Sequence, residues 1–239
     1  MDRRRSEAAG RRRAGVAVLG LAVVAGACSS PVEPVDEGGS EGAIAYDFTL
    51  PRADLPVYRW PSGSTVRLLV AGGGDAERAR LLADALAGAI AEWESALGEG
   101  VVRFAVTDRV EAADVVVRWS DAPAPVDLRV CEPAVRGSAA TTFCPAPDGR
   151  GLLRFPAVGG AGGESAVRMV VTVLASEARG ERRVRQLIAH ELGHVLGIGR
   201  HSPDPSDLMW EGALTRVGPS PADLATVQRL YETEPDLVP

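Results

Sequence analysis

The chain is expected to fold as a single α+β domain, a twisted mixed β-sheet backed by helices. Three observations carry that expectation. The stretch from Asp75 to Leu97 repeats its apolar residues at helical spacing, short runs rich in β-branched residues lie on either side of it, and two further helical stretches close the chain. The order therefore reads strand, helix, several strands, helix, helix. Of 239 residues, 46% are hydrophobic and 24% charged, proportions that suit an ordinary globular protein with a real core.

The elements follow in order. Tyr58-Arg59-Trp60-Pro61 leads into a first strand over Thr65 to Val70. The long helix then places Leu82, Leu86, Ile90, Trp93 and Leu97 on one face, where Trp93 reads as core packing. Val101 to Val106 and Val115 to Trp119 read as strands, as do Leu152 to Phe155 and Arg168 to Val173. Between these pairs, Asp121 to Arg150 is Pro- and Gly-rich and reads as a long loop. Val184 to Ile198 forms the next helix. Pro221 to Tyr231 forms the last, with Ser220 as its N-cap and Pro221 in its first turn.

Residues 1–27 have the form of a secretory signal: arginines at 3 to 5 and 11 to 13, an uncharged run from Ala14 to Ala27, and small residues at its end. Fourteen residues are too few to span a bilayer as a helix, which takes about 20. Ala25-Gly26-Ala27-Cys28 resembles the lipobox of bacterial lipoproteins, which implies lipidation of Cys28; plain cleavage before an unmodified thiol is the alternative. Residues 28–45, rich in Ser, Pro, Glu, Asp and Gly, read as a flexible tether, and 46–239 as the folded domain. Cys131 and Cys144 are expected to pair as a disulfide in an oxidising compartment, or else to stay as two thiols. The six arginines before Cys28 outnumber the two acids there, so a net charge of −6 for the whole chain becomes −10 from Cys28 onward. So acidic a body is a poor match to nucleic acid.

The chemistry concentrates in His190-Glu191-Leu192-Gly193-His194. Residues four apart lie one above the other on a helix, so His190 and His194 can share one metal ion, and Glu191 is placed to act as general base toward water. The chain holds only three histidines, all within the twelve residues from His190 to His201. Such clustering of a rare residue argues against chance. Gly197 can take the left-handed conformation that ends a helix and returns the chain, bringing His201 back to the same metal. Met209 follows, where it can pack beneath the site or, taken alone, serve as ordinary core filler.

His190-Glu191-Leu192-Gly193-His194-Val195-Leu196-Gly197, with His201 and Met209, resembles the metzincin zinc peptidases, and among them the bacterial relatives of the matrixins. The likeness extends over roughly residues 55 to 232. It implies a metzincin-like fold and a zinc-dependent endopeptidase acting on protein or peptide substrates. One catalytic zinc would sit on His190, His194 and His201, with Glu191 as the catalytic residue. A structural calcium is compatible with the resemblance, but no residues mark a site for it. The expected protein is a monomer outside the cytoplasm, held by a lipid anchor to an outer membrane or cell surface, or otherwise secreted.

Departures from the family pattern matter. Three residues, Ile198, Gly199 and Arg200, separate Gly197 from His201, where two are usual. Arg200 falls at the expected ligand position and cannot serve, having no lone pair to donate. Gly199 is expected to let the turn bulge by one residue, making His201 the third ligand, with Asp204, Asp207 or Glu211 as carboxylate alternatives. No Cys-bearing latency motif and no histidine for a second zinc are present. Trp210-Glu211-Gly212 replaces the Pro and Tyr usual after the Met. Arg168 to Val173 is the candidate edge strand for an extended peptide. The rival reading is an inactive metzincin-like surface lipoprotein that serves as a binding module.

Overall fold

The structure is a computed structural model, and it describes residues 43–50, 57–73, 75–98, 100–121, 137–143, 152, 154 and 167–239. The described residues belong to one compact unit. They form a five-stranded mixed sheet and three α-helices, in agreement with the α+β class. Cys28, Cys131, Cys144, the leader, most of the tether, and Leu153 and Phe155 of the expected Leu152 to Phe155 strand lie outside the described residues.

In chain order the elements are β1 (Thr65–Ala71), α1 (Ala76–Ala96), β2 (Arg103–Thr107), β3 (Val115–Ser120), β4 (Ala139–Phe143), β5 (Met169–Leu174), α2 (Glu181–Leu196) and α3 (Pro221–Glu232). The sheet runs β2-β1-β3-β5-β4. All pairs are parallel except β4 with β5. Two expectations are corrected here. The Asp121 to Arg150 region is not all loop, since it contains β4. Arg168 to Val173 is not an edge: β5 lies between β3 and β4, and among the described residues β4 is the edge strand. The run Met169 to Val173 is buried at every position, as a strand covered on both faces should be.

Side-chain alternation sorts the sheet into two faces. Val66, Leu68, Val115, Val117, Met169, Val171 and Val173 join Leu82, Leu86 and Trp93 of α1 and Val184, Ile188 and Leu192 of α2 in the main core. Val116 and Val170 point the other way, into a small cluster with Ala113 and Val167. Helix α1 starts at Asp75, whose carboxylate accepts from the Glu77 and Arg78 N–H groups. Trp93 packs in the core and donates its indole N–H to Ala189 O at 2.8 Å, tying α1 to the middle of α2.

The C-terminal end of α2 is held by unlike partners. A helix leaves its last carbonyls without intrahelical donors, and here each finds another. Gly193 O accepts from Ile198 N at 3.1 Å, His194 O from the Tyr58 hydroxyl, Val195 O from Trp60 Nε1 at 2.8 Å, and Leu196 O from Tyr231 Oη at 3.1 Å. Gly197 caps the helix with φ 120°, and an added Cβ would overlap the Tyr58 carbonyl oxygen. The chain can make this turn only with glycine. The aromatic residues at 58, 60 and 231 thus fix the helix end from which the third histidine departs.

Candidate metal centre

Helix α2 carries His190 and His194 on one face, and the turn after Gly197 brings back His201. The ring centroids form a nearly equilateral triangle with sides of 5.0, 5.2 and 5.0 Å. Each offers a ring nitrogen within 4.8 Å of the others, close enough for the three to bind a metal ion. No other group of three or more His, Cys, Asp or Glu side chains meets that spacing among the described residues.

The tautomers follow from the backbone. His190 Nδ1 lies 2.7 Å from Leu208 O, and His194 Nδ1 lies 2.6 Å from Ile198 O. A carbonyl only accepts, so each Nδ1 carries the proton and each Nε2 keeps its lone pair toward the cluster. His194 Nε2 stands 3.3 Å from His201 Nε2. Two nitrogens at about 2.0–2.1 Å from one tetrahedral zinc would be separated by about that distance. The donor set therefore has the spacing that one small metal ion, zinc included, requires.

None of the carboxylate alternatives to His201 joins the group of three imidazoles. Asp207 Oδ2 accepts from Ser202 Oγ at 2.5 Å, Asp204 Oδ1 accepts from Ser206 N at 2.8 Å, and Glu211 Oε2 stands 4.0 Å behind His201 on its Nδ1 side. Arg200 points away from the cluster, its Nε 3.0 Å from Asp47 Oδ2. Gly199 has no positive φ, so the longer turn does not depend on left-handed backbone there. What it needs instead is room. An added Cβ at Gly199 would come within 2.9 Å of Leu50 N, Phe48 O and Thr49 C.

Glu191 is buried beside the triad, and Thr141 Oγ1 of the edge strand donates to its Oε2 at 2.7 Å while also lying 3.1 Å from Glu191 O. Burial pushes the Glu191 carboxyl up to about 7, against the Thr141 hydrogen bonds that favour its charged form. Sequence reasoning missed Thr141. The signal was the β-favouring run Thr141-Thr142-Phe143, which its Pro- and Gly-rich surroundings obscured.

Met209 lies under the helix. An added Cβ on Gly193 would overlap Met209 Sδ and approach Trp93 Cζ2 to 3.3 Å. Gly193→Ala is therefore expected to overpack this contact and cost about 1–3 kcal/mol, measured by chemical denaturation of the metal-free protein. An unchanged midpoint would show that Met209 moves aside freely. The second missed residue is Asp223, read only as part of a helix start. Fully buried, it accepts from Ser220 N (2.7 Å), Leu208 N (2.9 Å), Met209 N (3.3 Å) and Tyr46 Oη (2.6 Å). It holds the turn whose Leu208 carbonyl orients His190.

These groups make metal-free stability depend on pH. Burial lowers His190 to about 4, and it lowers His194 and His201 as well. Between about pH 6.5, the unfolded value, and pH 4 the unfolded chain binds more protons at these rings, so acidification favours unfolding. Glu191 has the opposite sign between its unfolded value of about 4.5 and 7, being the more protonated in the folded state. Three rings outweigh one carboxyl. The thermal midpoint of chelator-treated protein is expected to fall from pH 6.5 to 4.5, and less steeply in His194→Asn. Equal slopes in parent and variant would contradict this.

Around the triad lies a cleft of about 670 Å³, with Thr141 and Phe143 of β4, Leu187 of α2, and Trp210, Glu211 and Leu214 of the following loop in its lining. Its size suits an extended or small-molecule ligand. Comparison of the chain with known protein families and with curated protein sequences gives no match.

Proposed function

We propose that this chain is a zinc-dependent endopeptidase of the metzincin type, matrixin-like, exported and held to a membrane through a lipid on Cys28. The observation that carries the proposal is the buried Glu191 carboxylate beside a triangle of three imidazoles whose lone pairs converge in an open cleft. A metzincin-like fold is supported by the mixed sheet, the motif helix ended by Gly197, and Met209 packed under Gly193. His190, His194 and His201 would hold the ion. When bound there, zinc supplies a Lewis acid that polarises a carbonyl and acidifies water.

The residues of the chain supply the rest. Glu191 accepts a proton at its carboxylate from the attacking water and returns it to the leaving amine. Thr141 holds this carboxylate in place, its hydroxyl donating to Oε2. The strand β4 lies along the cleft, antiparallel to β5, and its outer side, which pairs with no strand among the described residues, offers main-chain groups to an extended peptide. Phe143, Leu187 and Trp210 give apolar walls for its side chains.

Purified protein is expected to bind about one equivalent of zinc and to cleave a denatured protein or a peptide library, with cleavage lost on chelation and regained with zinc. Zinc bound without any cleavage would favour the alternative, a surface lipoprotein that uses the site only for binding. Among the described residues no helix is long and apolar enough to cross a membrane. The lipid is tested separately, by membrane partition of the full chain against Cys28→Ala.

A further inference from the structure

The third histidine arrives one residue late, and the structure assigns the device that makes this work: the segment from Tyr46 to Leu50 is a strap that turns Arg200 outward and so presents His201 to the metal cluster. Three contacts join strap and turn. Gly199 N donates to Phe48 O at 2.8 Å; Arg200 Nε lies 3.0 Å from Asp47 Oδ2; and the same Nε lies 3.4 Å from Thr49 Oγ1. The Asp47 carboxylate is prearranged for this, because its other oxygen accepts from Thr49 N at 2.9 Å and Thr49 Oγ1 at 2.7 Å. Glycine at 199 allows the backbones to touch.

The strap is itself anchored. Tyr46 Oη donates to Asp223 at 2.6 Å, Tyr46 N donates to Thr226 Oγ1 at 3.0 Å, and Phe48 is buried. It thus spans from α3 to the turn between the second and third histidines. Without a partner for Arg200 and Gly199, a turn one residue longer than the pattern has no reason to favour the conformation that presents residue 201. With them, residues 199 and 200 are fixed on the strap side and His201 is directed to the cluster. Asp47, Phe48 and Gly199 are positioning residues, because none offers a donor atom to the cluster.

This inference rests on the metal-site part of the proposed function and not on peptide cleavage. Its test reads zinc affinity in the purified full chain, by competition with a chromophoric chelator at neutral pH. The ion pair is half-exposed, at 46% for Arg200 and 31% for Asp47, so Asp47→Ala and Arg200→Ala are each expected to weaken zinc about two- to fivefold. Gly199→Ala, which sets a methyl against strap backbone, should weaken it more. The reversed pair Asp47→Arg with Arg200→Asp should recover most of the affinity lost by either single reversal. In a His201→Ala background, Asp47→Ala should have no further effect on zinc.

Far-UV circular dichroism and the metal-free unfolding midpoint confirm that the variants are folded. Parental affinity in Asp47→Ala, no recovery in the reversed pair, or an equal loss in the His201→Ala background would each overturn the strap. A parent that binds no zinc overturns both the strap and the zinc peptidase. Zinc coupling without peptide cleavage overturns the peptidase alone.

Discussion

Replacing Glu191 by glutamine is expected to leave one equivalent of zinc in place and to lower peptide cleavage by about 10²–10⁴-fold. The side chain keeps its size, so the packing around a residue only 4% exposed is preserved. What it loses is the ability to take a proton. The three imidazoles are untouched, and the Nδ1 bonds that orient His190 and His194 go to the Leu208 and Ile198 carbonyls rather than to Glu191. Metal binding and catalysis are therefore predicted to separate in this variant, measured as zinc content beside kcat/KM on a cleaved peptide. Loss of zinc together with activity would make Glu191 a structural group. Full activity would place the base elsewhere.

The site was legible where its geometry is local. Helical spacing alone puts His190 above His194, and the helix-ending glycine at 197 with the clustering of the only three histidines pointed to His201. The helix ends were legible for the same reason, since Asp75 and the Ser220-Pro221 pair cap within a few residues of themselves. What the sequence did not show depends on pairings far along the chain. Strand β4 has only partly buried residues and is a strand because β5 pairs with it. Whether β5 is central or at the edge depends on β4, although the nearly unbroken apolar run Met169-Val170-Val171-Thr172-Val173-Leu174 was a local hint of coverage on both faces. Gly199 was read for its freedom, while the structure uses its lack of a side chain against a segment some 150 residues earlier.

Asp223 carries this lesson furthest, and Asp223→Ala is expected to be the most damaging substitution to stability away from the metal ligands. Locally the residue completes a capping box: Ser220 N donates to Asp223 Oδ2, and Asp223 N donates to Ser220 Oγ at 3.0 Å. A cap lost at an exposed helix costs about 1 kcal/mol. Here the same carboxylate also accepts from Leu208 N, Met209 N and the Tyr46 hydroxyl, with no solvent at hand to replace it. Alanine would leave four donors without their acceptor, each at a cost of about 1–3 kcal/mol and not additive. The expected loss is about 3–5 kcal/mol by denaturant unfolding of the metal-free protein, a large share of the 5–15 kcal/mol typical of a domain. Because Leu208 passes the constraint on to His190 through its carbonyl, zinc affinity should fall as well. Asp223→Asn, which keeps one acceptor oxygen but turns an amide toward the remaining donors, should fall between parent and alanine on both measures. A cost below about 1 kcal/mol for the alanine variant would mean that the cap alone matters, and that the turn carrying Leu208 and Met209 is held by its packing.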